Sequence, residues 1–443
     1  MNKGYTTIFI ILSAAFLTLT GCGYNGMHLR DINEGYAGAE AAGEDAGDPE
    51  GAYEKTADGA AADKDSLNAS ADKGEARKKK RKKKEPEVHG KTEWSLEDGV
   101  LTISGEGMMD DYEFILNDYS ADKVKDDIGT APWFENRDEI NSVVIKDGIT
   151  HIGNYAFAGL YKVKDMPKLP ESVTSLGEGA FCKCSAMSGM LKLPEDLEEI
   201  PGHVFFLCKG LLGRLTIPSG VTVIGDYAFH GCEALTGEFI LPPEITHIGN
   251  KAFSGCSGIA GELTIPDTVV SIGEAAFEDC SSLKGKLSLP ESLPTINSFV
   301  FAGCSGLNGK LYIPEGPDYI GYGAFSGCSG FRGRLVIPSS VKGIGEEAFF
   351  NCSGLSSVVV SEGVETIDGA FKGCEGLKSV TLPSGLKSVS ILAFYNCGEI
   401  NTLNFGGTKR EWKVFTEMDD FYSCFKTISC RNGVITDGTE QGS

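Results

Sequence analysis

Leu215-Thr216-Ile217-Pro218-Ser219-Gly220-Val221-Thr222-Val223-Ile224-Gly225-Asp226-Tyr227-Ala228-Phe229-His230-Gly231-Cys232-Glu233-Ala234-Leu235 is one turn of a pattern that comes round eleven times in this 443-residue chain. The shared frame is Ile-Pro-x-x-Val-x-x-Ile-Gly-x-x-Ala-Phe-x-x-Cys-x-x-Leu. For most of the length its period is 24 residues without drift. Pro170, Pro194, Pro218, Pro242, Pro266, Pro290, Pro314 and Pro338 mark one phase; Cys184, Cys208, Cys232, Cys256, Cys280, Cys304, Cys328 and Cys352 mark another. In the proline phase the spacing then shortens to 23 (Pro338 to Ser361) and 22 (Ser361 to Pro383). A fixed period of about 20–50 residues defines a stacked solenoid, in which each unit buries its apolar face only against its neighbours.

Each phase has a physical job. Leu215 and Ile217 point inward from a short strand and Thr216 points outward. Pro218 ends the strand because it has no N–H for a ladder. Val221 and Ile224 return to the core, Gly225 permits a corner, and Ala228-Phe229 plugs the turn. The phenylalanine recurs as Phe157, Phe181, Phe205, Phe229, Phe253, Phe277, Phe301, Phe325, Phe349, Phe371 and Phe394, which predicts a phenyl spine. Pro201 and Asn297 depart from the corner glycine. The extra glycine of the regular turns, such as Gly237, predicts a loop or bulge along one edge.

Fourteen cysteines suggest a disulfide framework, but their spacing argues against it. Ten fall one per turn, ending with Cys374 and Cys397. Equivalent positions in neighbouring turns lie about 5 Å apart with parallel side chains, whereas a disulfide needs Cβ atoms about 3.8 Å apart. The column therefore reads as buried free thiols acting as small hydrophobes. Leu160 in the cysteine slot of the first turn agrees. Cys182 is off phase and is expected at the surface. Cys424 and Cys430 lie beyond the repeats, and their pairing stays open.

The formal net charge of −22 argues against nucleic acid as a partner. The N-terminus reads as an address. Lys3 precedes an apolar run from Tyr5 to Leu19, as in an export signal. The run ends in Leu19-Thr20-Gly21-Cys22, which resembles the bacterial lipobox; that resemblance implies cleavage before Cys22 and lipidation of its sulfur and new amino group. Residues 23–76 are rich in Gly, Ala, Asp and Glu and too poor in large apolar groups to offset ordering entropy. Arg77-Lys78-Lys79-Lys80-Arg81-Lys82-Lys83-Lys84 follows. It reads either as a solvated, self-repelling linker or as a contact with anionic envelope polymer or lipid headgroups.

A solenoid needs specialised ends. Trp94 to Gly105 reads as a hairpin turning at Glu97-Asp98-Gly99. Pro132-Trp133-Phe134 brings aromatic bulk just before the first turn. At the other end stand Phe405-Gly406-Gly407-Thr408-Lys409-Arg410-Glu411-Trp412 and Ile428-Ser429-Cys430-Arg431-Asn432-Gly433. Taken with the Ile-Gly-x-x-Ala-Phe repeats between them, these elements resemble the BspA-type leucine-rich repeat proteins of bacterial surfaces, over roughly residues 90–435. The resemblance implies adhesion to host extracellular proteins or to other cells. The expected fold is a leucine-rich repeat solenoid of about eleven turns of 22–24 residues with short stacked parallel strands, an N-terminal β cap and a small α/β C-terminal cap. The expected layout is a lipoprotein signal peptide (1–21), a disordered acidic then basic tether (22–90), the N-terminal cap (91–142), the solenoid (143–402), the C-terminal cap (403–436) and a tail (437–443).

Function is then expected on outward strand positions, since the periodic residues are committed to packing. That column is Lys192, Thr216, Ile240, Thr264, Ser288, Tyr312 and Val336, flanked by Arg214, Glu238, Glu262, Lys286, Lys310 and Arg334. Ile240, Tyr312 and Val336 are the best contact candidates, because apolar and aromatic anchors dominate interfaces. The six histidines are scattered, and His151 and His247 stand four turns apart. No phosphate loop, nucleophile elbow, calcium loop or zinc-ligand spacing occurs. The carboxylates between Met108 and Asp127 read as solvated. No cofactor, metal or catalytic residue is expected, and the chain reads as monomeric. The leading expectation is a lipid-anchored surface binding protein, exposed outside the cell membrane. The alternative is an envelope component that engages wall polymer through Arg77 to Lys84.

Overall fold

The structure is a computed structural model and describes residues 91–117, 120–390, 392–398, 400–415 and 425–436. The chain divides into two units, Met1–Arg81 and Lys82–Ser443. The signal peptide, Cys22, the tether, the basic run Arg77 to Lys84 and the tail from 437 lie outside the described residues, as does Cys424.

The repeats stack as a parallel solenoid whose backbone hydrogen bonds run from turn to turn. Two separate ladders lie along the outward column, the first ending at Leu283–Ser288 and the second starting at Gly333–Ile337. The first includes Ile259–Thr264 and Leu283–Ser288; the second includes Gly333–Ile337, Leu355–Val360, Ser379–Leu382 and Thr402–Phe405. The quoted turn departs from expectation here: Leu215 to Pro218 alternates in and out as read, yet the paired strand is Leu211–Leu212, in register with Gly189–Met190. A further ladder was not expected. Glu199–Ile200, Val223–Ile224, His247–Ile248 and Ser271–Ile272 pair in parallel, two residues each, with Ile224 opposite Ile248.

The corner glycine follows directly from that further ladder. The Gly225 N–H donates to the Ile200 carbonyl at 2.8 Å. A Cβ on Gly225 would lie 2.4 Å from the backbone nitrogen of Gly202 in the turn below, so only hydrogen fits. Asn297 breaks the rule by substitution of function: its side-chain amide donates to the Ile272 carbonyl at 2.6 Å, the role the corner glycine's N–H fills elsewhere. The predicted bulge is also present. Register shifts between Gly261 and Leu263, and Gly261 has φ +98°, a conformation costly for any side chain.

All eleven spine phenylalanines are buried, and adjacent rings stack with centroids 5.2–5.8 Å apart from Phe157 to Phe394. Trp133 extends the column, with its ring 6.0 Å from that of Phe157 and its Nε1–H donating to the Ala156 carbonyl. Phe425 closes edge-on against Phe394 at 5.7 Å, beside the fully buried Trp412. The hairpin is present as Thr92–Glu97 and Val100–Gly105 in antiparallel register, turning on Asp98 and Gly99, both with positive φ. Near the other end, the helix Lys409–Phe415 starts at a capping box: the Thr408 N–H donates to Glu411 Oε2 at 2.7 Å and the Glu411 N–H to Thr408 Oγ1 at 3.3 Å.

The thiol column is free and buried at all ten positions. Each S–H donates to a phenylalanine carbonyl of the preceding turn, as Cys256 does to Phe229 and Cys304 to Phe277, both at 3.1 Å. Burial pushes the Cys256 and Cys352 thiols up to about 12, so these two are neutral donors rather than nucleophiles. Cys182 corrects the expectation of exposure. It is fully buried in a side cluster with Ala158, Phe206 and Leu207, against Phe114 and Leu116 of the N-terminal segment.

Candidate ligand-binding face

The seven outward positions named from sequence all point into solvent: Lys192, Thr216, Ile240, Thr264, Ser288, Tyr312 and Val336. Ladder pairing fixes part of the row. Thr264 is in register with Ser288, and Val336 with Val359. Lys192, Thr216, Ile240 and Tyr312 hold the same repeat phase outside the paired strands. The apolar members are well presented, Ile240 being 57% and Tyr312 63% exposed. The flanking charges form a weak frame. Arg214 Nη2 lies 3.8 Å from Glu238 Oε2, both in water, a pair that contributes about 0.2–1 kcal/mol at most.

Sequence reading missed a groove on this face of about 630 Å³, lined among others by Met166, Pro167, Lys168, Met190, Lys192 and Glu195. Its origin is local. Pro167, Pro170 and Pro194 remove three N–H groups from neighbouring turns, and residues 191–194 form no paired strand. Met190 stands 82% exposed at its edge. The signal was available in sequence as a second proline in the Met166-Pro167-Lys168-Leu169-Pro170 segment.

The remaining candidates are placed elsewhere. His151 Nδ1 is 2.7 Å from Ser175 Oγ, and His247 Nδ1 is 2.8 Å from Thr246 Oγ1. His203 and His230 belong to an aromatic cluster: His203 stacks on Tyr227 at 4.9 Å and His230 on Phe206 at 5.3 Å. Burial lowers His230 to about 4, with the nearby Lys251 adding to the effect. In the unfolded chain it protonates near 6.5, so the unfolded state takes up the proton first. Stability from this residue is full above pH 6.5 and is lost as pH falls toward about 4, by up to about 3 kcal/mol. His203 is lowered by burial as well, against the opposing pull of Glu178 and Asp226, and acts in the same direction. Urea melts at about pH 7.5 and about pH 4.5 check this: His230→Asn should lose less stability between the two than the wild type.

The reading of the Met108 to Asp127 carboxylates as solvated fails for Asp127. It is 2% exposed and pairs with the fully buried Lys183, Nζ to Oδ2 being 2.8 Å. Lys183 has φ +55° in a slot that Gly159, Gly231, Gly255, Gly303, Gly327 and Gly373 fill elsewhere. Neighbouring Asp111 instead accepts the Asn154 N–H at 2.7 Å near the surface.

A stack of about eleven parallel turns, with its repeating residues buried and one outward strand column left variable, defines a repeat scaffold of the solenoid class. The chain belongs to the BspA type leucine-rich repeat family: that family's profile, the BspA type leucine rich repeat region, matches in overlapping stretches at residues 130–260, 209–332, 259–369 and 308–424. Among solved structures the chain is similar to a leucine-rich repeat protein from Bacteroides ovatus, at 23% identity over 72% of this chain and 84% of that one, with a TM-score of 0.49. It is also similar to a leucine-rich repeat protein from Eubacterium ventriosum (20% identity, 81% and 97% coverage, TM-score 0.41). A leucine rich cell surface protein from Faecalibacterium prausnitzii gives 20% identity, 75% and 98% coverage and a TM-score of 0.40. Comparison with curated proteins gives no match.

Proposed function

We propose that this chain is a lipid-anchored cell-surface protein that binds other proteins or cell surfaces through its outward strand column. The observation that carries the reading is the exposure of large apolar side chains on that column, Ile240, Tyr312 and Val336, where packing gives them no role. Of these, Tyr312 is of the kind most enriched among the anchors of protein interfaces. Leu19-Thr20-Gly21-Cys22 supports a lipid anchor at Cys22, and residues 22–90 would then serve as the tether that holds the scaffold clear of the membrane. Several acyl chains, each contributing about 0.8 kcal/mol per buried CH₂, anchor firmly. Partners are extracellular or host proteins, with no nucleic acid, and the binder acts as a monomer.

The test is replacement of Tyr312 and Val336 by Ser. Partner capture by the purified protein is expected to fall at least about tenfold, the effect of losing roughly 1.4 kcal/mol of interface contact; unchanged capture removes this reading. A second reading, an envelope component held by wall polymer, rests on the charge of Arg77 to Lys84. Replacing that run with Gly and Ser leaves capture by a binder intact but releases a wall component from the envelope.

A further inference from the structure

The amine of Lys183 and the carboxyl of Asp127 meet where neither touches water. Their side chains are fully buried, with Nζ 2.8 Å from Oδ2. The other carboxyl oxygen, Oδ1, accepts the Asn117 N–H at 2.9 Å, and the Asn117 side-chain amide donates to the Asp126 carbonyl. The apolar side cluster of Cys182, Phe206 and Leu207 adjoins Lys183, and its backbone N–H bonds the Phe206 carbonyl. Six other turns put glycine in the left-handed slot that Lys183 occupies, and Leu207, Asp279, Asn351 and Asn396 fill it with positive φ in four more. From that position Lys183 delivers its amine to the Asp127 carboxylate, 56 residues away in sequence.

We propose that Lys183 and Asp127 are a site of intramolecular amide formation, which closes an isopeptide cross-link between the N-terminal segment and the second turn. A proton passes along the existing hydrogen bond from Nζ to Oδ2, leaving a neutral amine beside a neutral carboxyl. Nζ attacks Cγ and the C–N bond forms. The negative charge that develops on Oδ1 is met by the Asn117 N–H, already aimed at it. A second Nζ proton moves to Oδ2, the Cγ–Oδ2 bond breaks, and Oδ2 leaves as water. Ammonium plus carboxylate becomes amide plus water, so atoms and charge balance with no oxidant or co-reactant. Two features favour the forward direction. The groups are held together at high effective concentration, and a dry site penalises the two charges that the reaction removes. The bond would keep the segment before Asp127 from peeling off the first turns.

The test needs only the wild-type full chain. After denaturation and trypsin digestion, the main species is expected to be a branched peptide joining residues 126–137 to residues 169–192 through Asp127 and Lys183, uncut after Lys183. Its mass is the sum of the two linear peptides less one water, about 18 Da. Lys183→Arg, which carries no nucleophilic amine, lacks it. If protein that melts in one cooperative step instead yields mainly linear peptides, with cleavage after Lys183 and an unmodified Asp127, the proposal is overturned.

Discussion

Phe277→Ala is expected to destabilise the solenoid by about 3–5 kcal/mol, a large share of the stability of an ordinary domain. Phe277 is fully buried, and its ring stacks on Phe253 at 5.3 Å and Phe301 at 5.8 Å, with Phe239 edge-on at 6.4 Å. Truncation removes ring contacts on both sides, and neither neighbour can collapse inward. The backbone holds the gap open: the Phe277 N–H donates to the Val300 carbonyl, and its own carbonyl accepts the Cys304 thiol. Solenoid stability is a sum of turns and nearest-neighbour interfaces, so the damage should stay local. Hydrogen exchange should accelerate first between Phe253 and Phe325, with the ends less affected. Thr264→Ala, one strand away and exposed, should change stability by no more than about 0.5 kcal/mol. A Phe277→Ala cost below about 1 kcal/mol, measured by urea unfolding, would mean that the phenyl column is not the spine of the core.

Lys183→Ala should also cost about 3–5 kcal/mol, through a different mechanism. The variant leaves the Asp127 carboxylate buried and opposite no amine. Asp127→Leu combined with Lys183→Met replaces both charges by apolar groups and should recover most of the loss, because a buried pair contributes little beyond its apolar equivalent. The pattern to look for in denaturant melts is a deep loss in each single variant and a shallow one in the double. Three losses of equal depth would contradict it. A cross-link at this pair would add the same loss to all three variants, so the double would still be the least destabilised.

Legibility in the sequence followed repetition. The phenyl spine and the thiol column were readable because eleven turns repeat the phenylalanine and ten the cysteine, and one physical reading serves all copies. Alternation around each proline placed the seven outward residues correctly, although Leu215 to Pro218 proved to be extended chain beside the ladder rather than within it. Two-residue strands such as Val223–Ile224 are too short to show alternation, so the ladder they form was invisible. What occurs once was also missed. Cys182 is buried in a side cluster against which Phe114 and Leu116 of the N-terminal segment pack. Lys183 showed only as a lysine where glycine is usual, and its partner is 56 residues away. The groove at Met166 and Met190 was marked in sequence only by Pro167, a second proline in one turn at a phase that no other copy repeats.

Packing occupies the repeated phases, and we propose that binding uses the outward strand column. The most direct measurement is site-specific photo-crosslinking on intact cells, with the crosslinker placed at Tyr312 on the column or at Ser281 on the exposed thiol-side edge. A discrete partner adduct is expected from position 312 and none from position 281. An adduct from 281 with none from 312 would contradict it.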